Sequence, residues 1–112
     1  MSGVRLNRPL VLEEATRESD GAGGVTLEWR PLGTLWAEVT AGTGAAREGE
    51  AITLASVPWR IVVRAAPVGS PRRPRPEQRF REGGRIFRIL AIAERDPGAH
   101  YLTCFAREEV VA

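Results

Sequence analysis

Along most of this chain apolar and polar residues alternate with a period of two, the pattern of strands with one buried face. "PLVLEEA" predicts a first strand near Leu10 to Glu14. "DGAGG" at Asp20 to Gly24 is a turn signal, because glycine tolerates positive φ. "VTLEWR" follows, with Val25, Leu27 and Trp29 on one face and Thr26, Glu28 and Arg30 on the other. It is expected to be a half-buried strand, in a hairpin with the first. Pro31 and Gly33 are expected to break the chain before a third strand, Leu35 to Thr40. "WRIVVR" alternates again, Trp59, Ile61 and Val63 against Arg60, Val62 and Arg64, with Pro58 at its start, where a missing N–H is tolerable. "RFREGGRIFRILAIAER" predicts a hairpin turning at Gly83-Gly84. Its second strand, Arg85 to Glu94, is apolar on both faces, with Phe87, Ile89 and Ala91 against Ile86, Leu90 and Ile92. Such a strand is buried twice, or buried once and used at an interface. After the turn "DPG", "HYLTCFAR" makes the last strand.

Two stretches lack this pattern. Ala41 to Ser56 begins Ala-Gly-Thr-Gly-Ala-Ala and has little to bury. Loops of that length are usually functional or disordered; a short helix within Ala45 to Ser56 also fits. Ala66 to Gln78, "APVGSPRRPRPEQ", holds four prolines and three arginines and cannot be regular structure. Six or seven short strands between glycine and proline turns predict an all-β fold. The expected architecture is a small antiparallel β-barrel or sandwich with a long central loop.

The length of 112 residues implies one domain, spanning 1–112, with a modest core. No window approaches the roughly 18 apolar residues that cross a bilayer. Met1 to Leu12 does not resemble a signal peptide, so the expectation is a protein made in the cytoplasm with no membrane role. All 16 basic residues are arginine. A GC-rich genome accounts for that, and so does selection for planar multi-donor contacts. A net charge of +2 does not announce nucleic-acid binding.

Candidate chemistry is sparse. The one cysteine, Cys104, lies in an apolar strand, where a thiol behaves as a small hydrophobe. The sole histidine, His100, has no evident partner, and no Cys/His spacing indicates a metal. Glu13-Glu14 and Glu108-Glu109 are neighbours in strands, so each pair splits between two faces and makes no catalytic dyad; solvated faces are expected. No enzyme activity and no cofactor is expected. The arginines Arg72, Arg73 and Arg75 on the stiff "PRRPRP" scaffold have two readings, a phosphate-facing surface or a solvated loop. Trp29 and Trp59 fall on apolar faces and are expected in the core. Trp36 shares a face with Glu38 and Thr40, which makes it a candidate aromatic anchor for a partner.

The order of segments resembles the head-tail joining (head-closure, or stopper) proteins of long-tailed bacteriophages and gene transfer agents. "LNRPLVLEEATRESDGAGGVTLEWRPLGTLWAEV" is similar to that family's N-terminal half, including its Trp-Ala-Glu-Val strand at Trp36 to Val39. "AREGEA" resembles its Gly-Arg-Glu…Ala stretch and "WRIVVR" its His-Arg-Ile-Thr-Ile-Arg strand. "GGRIFRILAIAERD" resembles its C-terminal hairpin, and "HYLTCFARE" its closing strand. The set covers about Arg5 to Glu109; Trp59 in place of a polar residue and the Pro/Arg content of 68–78 depart from it.

The resemblance implies a structural virion protein. It would form a homo-oligomeric ring at the head-tail junction, below portal and adaptor proteins and above a tail-terminator protein. The ring would close the channel on packaged double-stranded DNA. The loop after the Trp-Ala-Glu-Val strand would project toward the channel, which places Gly42, Thr43, Gly44, Arg47, Glu48 and Glu50 against DNA or a neighbouring subunit. Trp36, Arg72, Arg73 and Arg75 would belong to a partner interface. A tail terminator, another connector-ring protein, or a small nucleic-acid-binding barrel are the alternatives.

Overall fold

The computed structural model describes residues 3–42 and 58–109. Among these, six strands follow in chain order: β1 (Arg8–Ser19), β2 (Val25–Ala41), β3 (Pro58–Arg64), β4 (Arg79–Glu82), β5 (Arg85–Glu94) and β6 (Tyr101–Glu109). Every pairing is antiparallel, and the strands close into a barrel in the order β1-β2-β3-β6-β5-β4. The expected all-β antiparallel barrel is therefore what forms. The helix considered for Ala45 to Ser56 lies outside the described residues.

The alternation along the strands explains the core. Leu10 and Leu12 of β1, Leu35 and Ala37 of β2, and Ile61 and Val63 of β3 all point inward. They meet Phe80 of β4, Phe87 and Ile89 of β5, and Leu102, Cys104 and Ala106 of β6. Phe80 and Phe87 are cross-strand partners, and both are fully buried. Trp59 packs edge-on against Phe87, with ring centroids 5.7 Å apart, a preferred aromatic geometry.

Two expectations fail, for one physical reason. Pro31 and Gly33 do not separate two strands; β2 runs through both. The register passes from Leu12↔Gly33 to Glu13↔Pro31, so Leu32 is an extra residue in a β-bulge. Gly33 takes φ 150° there, a region that favours glycine. Pro31 is tolerated because β3 pairs with β2 only over Ala37–Ala41, so no second neighbour needs its missing N–H. The bulge also reverses the side-chain alternation. Val25, Leu27 and Trp29, in phase with Leu35 by sequence, emerge on the outer side. Val25 and Leu27 are exposed, so this is not the half-buried strand expected, and Trp29 is not in the core.

A second bulge does the converse on β5. Ile89 pairs with Ala106 and Ala91 with Phe105, leaving Leu90 extra. Beyond it Ile92 pairs with Cys104 and packs on the core, while Leu90 is exposed. The strand looked apolar on both faces because its inward phase changes midway.

Glu14–Ser19 of β1 and Val25–Arg30 of β2 pair only with each other. They form a two-stranded arm beyond the barrel. Its tip is closed by Asp20, whose carboxylate accepts the N–H groups of Ala22 and Gly24 at 2.8 and 2.9 Å.

Candidate functional site

The barrel end from which residues 43–57 depart is built from charged residues at inward-pointing strand ends. Arg8 precedes Leu10 in the inward phase of β1; Glu82 follows Phe80 on β4; Arg85 precedes Phe87 on β5; Glu108 follows Ala106 on β6. They pair as Arg8–Glu82 and Arg85–Glu108. Arg85 donates to Glu108 through Nε at 2.8 Å and Nη2 at 3.0 Å, a bidentate fork. Its guanidinium also lies 5.1 Å from the Trp59 ring centroid and 4.9 Å from that of Phe87. The charged layer thus sits on the aromatic core and closes the barrel.

The electrostatics follow from these bonds. The hydrogen bond from Arg8 holds the Glu82 carboxyl below its ordinary value, and Arg85 does the same for Glu108. The carboxylates in return raise both guanidinium values. Arg8 also feels Arg85 and Glu108, so the four charges act as one network. Of the four, sequence reasoning named only Glu108, and set it aside as a solvated residue. The available signal was a charged residue in the core phase of a strand, as Glu108 is after Leu102, Cys104 and Ala106. The expectation that both glutamates of Glu108-Glu109 are solvated is corrected: Glu108 is buried and Glu109 exposed.

The neck of the 43–57 segment is pinned where the Gly42 N–H donates to the Pro58 carbonyl at 2.8 Å. A Cβ on Gly42 would come within 3.2 Å of Pro58 Cγ, so the close approach favours glycine. Of the proposed channel residues, Gly42 is thereby placed at the root of the loop; Thr43, Gly44, Arg47, Glu48 and Glu50 lie outside the described residues. The indole N–H of Trp59, one residue into β3, is buried and finds no acceptor among the described residues.

At the opposite end, the Pro/Arg-rich loop 66–78 is laid against the barrel. Arg72 Nη2 donates to the Thr34 carbonyl at 3.1 Å and Arg73 Nη1 to the Ala66 carbonyl at 2.9 Å. The Arg75 N–H donates to Gln78 Oε1 at 2.9 Å, and its guanidinium is 3.7 Å from Glu14. Within the loop itself, Pro74 and Gln78 are buried. Two grooves flank it. One, of about 250 Å³, holds Trp36, Arg64 and Arg72. The other, of about 530 Å³, holds Arg73 and Arg75 with Glu14, Arg30 and Leu32. The structure therefore joins Trp36 to Arg72 and separates both from Arg73 and Arg75.

Where the arm leaves the barrel, Glu13 accepts Arg79 Nε at 2.7 Å and Arg81 Nε at 2.9 Å. Arg79 in turn stacks on Trp29, 4.0 Å from its ring centroid, a cation–π contact. Burial pushes the Glu13 carboxyl up, but the hydrogen bonds from Arg81 and Arg79 outweigh it and hold the carboxyl below its ordinary value. The expectation of a solvated Glu13 is corrected by this site. Trp29, expected in the core, serves instead as the outer cover of a buried ion pair.

The groups that could carry covalent chemistry are occupied structurally. Cys104 is buried, which pushes its thiol up to about 12. His100 Nδ1 lies 2.8 Å from Asp96, whose carboxylate also accepts the His100 and Tyr101 N–H groups at 3.0 Å in the β5–β6 turn. Among the described residues no three His, Cys, Asp or Glu side chains converge on a point that could hold a metal ion.

The chain is 74% identical to a chain in the virion of a native gene transfer agent particle, over 96% of this chain and 98% of that one, with a TM-score of 0.79. It shares the fold of a protein from Shigella flexneri 2a solved in solution, at 21% identity, 96% coverage of both chains and a TM-score of 0.68. No curated protein matches. The family described as phage head completion protein matches residues 1–109. With a closed six-stranded barrel and a match that omits only its last three residues, this chain belongs to the phage head completion protein family.

Proposed function

We propose that this chain is a structural virion protein that completes a DNA-filled head and joins it to the tail. It acts as a ring at the head-tail junction, between a portal-adaptor assembly and a tail-terminator ring. The observation that carries this reading is the match to the head completion family along residues 1–109, beside 74% identity to a gene transfer agent virion chain. Its work is mechanical: to hold a segment across a channel and to offer surfaces to the rings on either side.

The loop end of the barrel suits that work. A segment that blocks a channel under DNA pressure needs a rigid base. The two residues that bracket 43–57, Gly42 and Pro58, are held together by a backbone hydrogen bond at a barrel end closed by two ion pairs and the Trp59–Phe87 contact. In this reading Arg47 meets the DNA backbone or a neighbouring subunit, and Glu48 and Glu50 pair with arginines of the next copy. The Trp36–Arg72 groove at the other end offers an aromatic anchor and a guanidinium to an adjoining ring protein, and Arg73 and Arg75 offer theirs in the separate groove beside Glu14 and Arg30.

Electron microscopy of particles from cells lacking the gene tests the proposal. Free tails beside heads that have lost DNA are the expected result. Normal yields of tailed, DNA-filled particles would refute it.

A further inference from the structure

The two grooves beside loop 66–78 carry a charge that their own residues do not balance. In the smaller one Arg64 and Arg72 stand beside Trp36, and no carboxylate lines it. In the larger one Arg30, Arg73 and Arg75 surround a single carboxylate, Glu14. Five guanidiniums therefore face one carboxylate, a surplus of four positive charges in a chain whose net charge is +2. Glu77 and Asp96, the acidic residues nearest the loop and the β5–β6 turn, are paired with Arg88 and His100. Glu18, Asp20 and Glu28 lie further out along the arm and line neither groove. Apolar surface accompanies the charge: Trp36 is 56% exposed beside Leu6 in the smaller groove, and Val68 is 85% exposed at the larger.

The loop holds these arginines in place. Pro71, Pro74 and Pro76 stiffen it. Arg72 and Arg73 are tied to the Thr34 and Ala66 carbonyls by one side-chain bond each, of the five N–H donors a guanidinium carries. Gln78 accepts the Arg75 N–H at its side chain, and its backbone carbonyl accepts the Ile89 N–H at 2.9 Å. Between them Glu77 takes φ 75°, a left-handed conformation uncommon outside glycine, with its N–H on the Ile89 carbonyl at 3.1 Å. A solvated connection needs neither these tethers nor that strain, which collects where a surface is used. Side chains ordered in advance lose less freedom when a partner binds.

We infer that the two grooves receive an acidic segment of a different virion protein. Its carboxylates pair with Arg64 and Arg72 on one flank of the loop and with Arg73 and Arg75 on the other, and an apolar side chain packs on Trp36. This rests on the ring reading above and adds the chemistry of the partner. Guanidinium forks match carboxylates bidentately. In that reading residues 43–57 point to the ring axis, so the 66–78 end points away from it. It is then clear of channel DNA and of the flanks through which copies in a ring meet. Trp36, Leu6 and Val68 among the arginines also suit a peptide better than a phosphate backbone, which has no apolar side chains to place there.

Photo-crosslinking in assembled particles tests the contact. A benzoylphenylalanine replaces Val68, the particles are irradiated, and the products are separated under denaturing conditions and mapped by mass spectrometry. The expected product joins this chain to a different virion protein within a stretch rich in aspartate and glutamate. Linkage to another copy of this chain, to DNA or to a stretch without carboxylates would overturn the inference. So would the absence of any product from particles whose label is intact by mass. Arg64→Glu with Arg72→Glu, in protein whose melting temperature is unchanged, should lower the yield of tailed particles about tenfold, because like charges then meet at the contact. Reversing carboxylates of the linked stretch to arginine should restore that yield, and an unaltered yield or a failed restoration would refute the pairing. Gene deletion reports on the function and linkage on the contact, so either can fail without the other.

Discussion

Replacing Glu13 by glutamine should destabilise the fold far more than the same change at its neighbour Glu14. The Glu13 side chain is 5% exposed and receives two guanidiniums from one neighbouring strand, Arg79 and Arg81 of β4 across from β1. Arg79 is 17% exposed and would lose its counter-charge while covered by Trp29; Arg81, 42% exposed, can recover hydration. Removing one partner of a buried pair costs about 3–5 kcal/mol. The exposure of Arg81 places this case near the lower end, at about 3 kcal/mol. With an unfolding entropy of about 2.1 cal/mol/K per residue, that is a fall in Tm of roughly 13 °C for a chain of this size. Urea unfolding followed by tryptophan fluorescence, with an unchanged m-value, measures it. Glu14→Gln is the control, since Glu14 pairs with the 64% exposed Arg30 and should cost under about 1 kcal/mol. A Glu13→Gln loss no larger than that of Glu14→Gln would refute the assignment of Glu13 as the buried anchor of the arm.

Glu13, Glu82 and Glu108 are all held below the ordinary carboxyl value of 4.5, so the unfolded chain takes up protons first as pH falls. Their stabilisation is fully present above that value and lost as pH drops through the lower folded values; a melting temperature that is flat from pH 7 to about 5 and falls below about 4.5 is expected. Cys104, buried with its thiol pushed up to about 12, should react with iodoacetamide only at the rate of global unfolding, read by mass spectrometry in graded urea. The β5 bulge predicts an asymmetry between neighbours: Leu90→Ala should cost under about 1 kcal/mol in the isolated chain and Ile89→Ala about 2–5, measured by the same urea titration.

The succession of strands along the chain and most of the core were legible from the period of two, and the turns at Asp20–Gly24, Gly83-Gly84 and Asp96–Gly98 from their glycines and proline. What escaped was parity. A bulge adds one residue to one strand and leaves no mark in the alternation of that strand alone; it shows only against a partner. Leu32 therefore turned Val25, Leu27 and Trp29 from expected core to outer surface, and Leu90 carried Ile92 inward. The charged layer escaped for a related reason. Arg8, Glu82, Arg85 and Glu108 lie far apart in sequence and become neighbours only when the barrel closes. Trp36 was legible as an exposed aromatic because no bulge separates it from Leu35 and Ala37.

Closure also decides how this barrel can meet partners. A sheet edge recruits another chain through unpaired N–H and C=O groups, and a closed barrel has none to offer. Strands β3, β6 and β4 are paired on both sides, while the far end of β5, Ala91–Glu94, pairs only with β6. The arm is the longer open stretch, since Glu14–Ser19 and the Val25–Trp36 stretch of β2 each have a neighbour on one side only. Those edges are interrupted by Pro31 and by the charges of Arg17, Glu18 and Glu28, devices that oppose indiscriminate strand addition. What the barrel exposes instead is side-chain surface: the apolar outer face of the arm, the groove across β2, β3, β6 and β5 lined by Val62, Thr103 and Phe105, and the Trp36–Arg72 groove. For the ring component proposed above, which would join its neighbours in one geometry and only during assembly, such surfaces serve better than an open strand, which would pair with any extended chain it met.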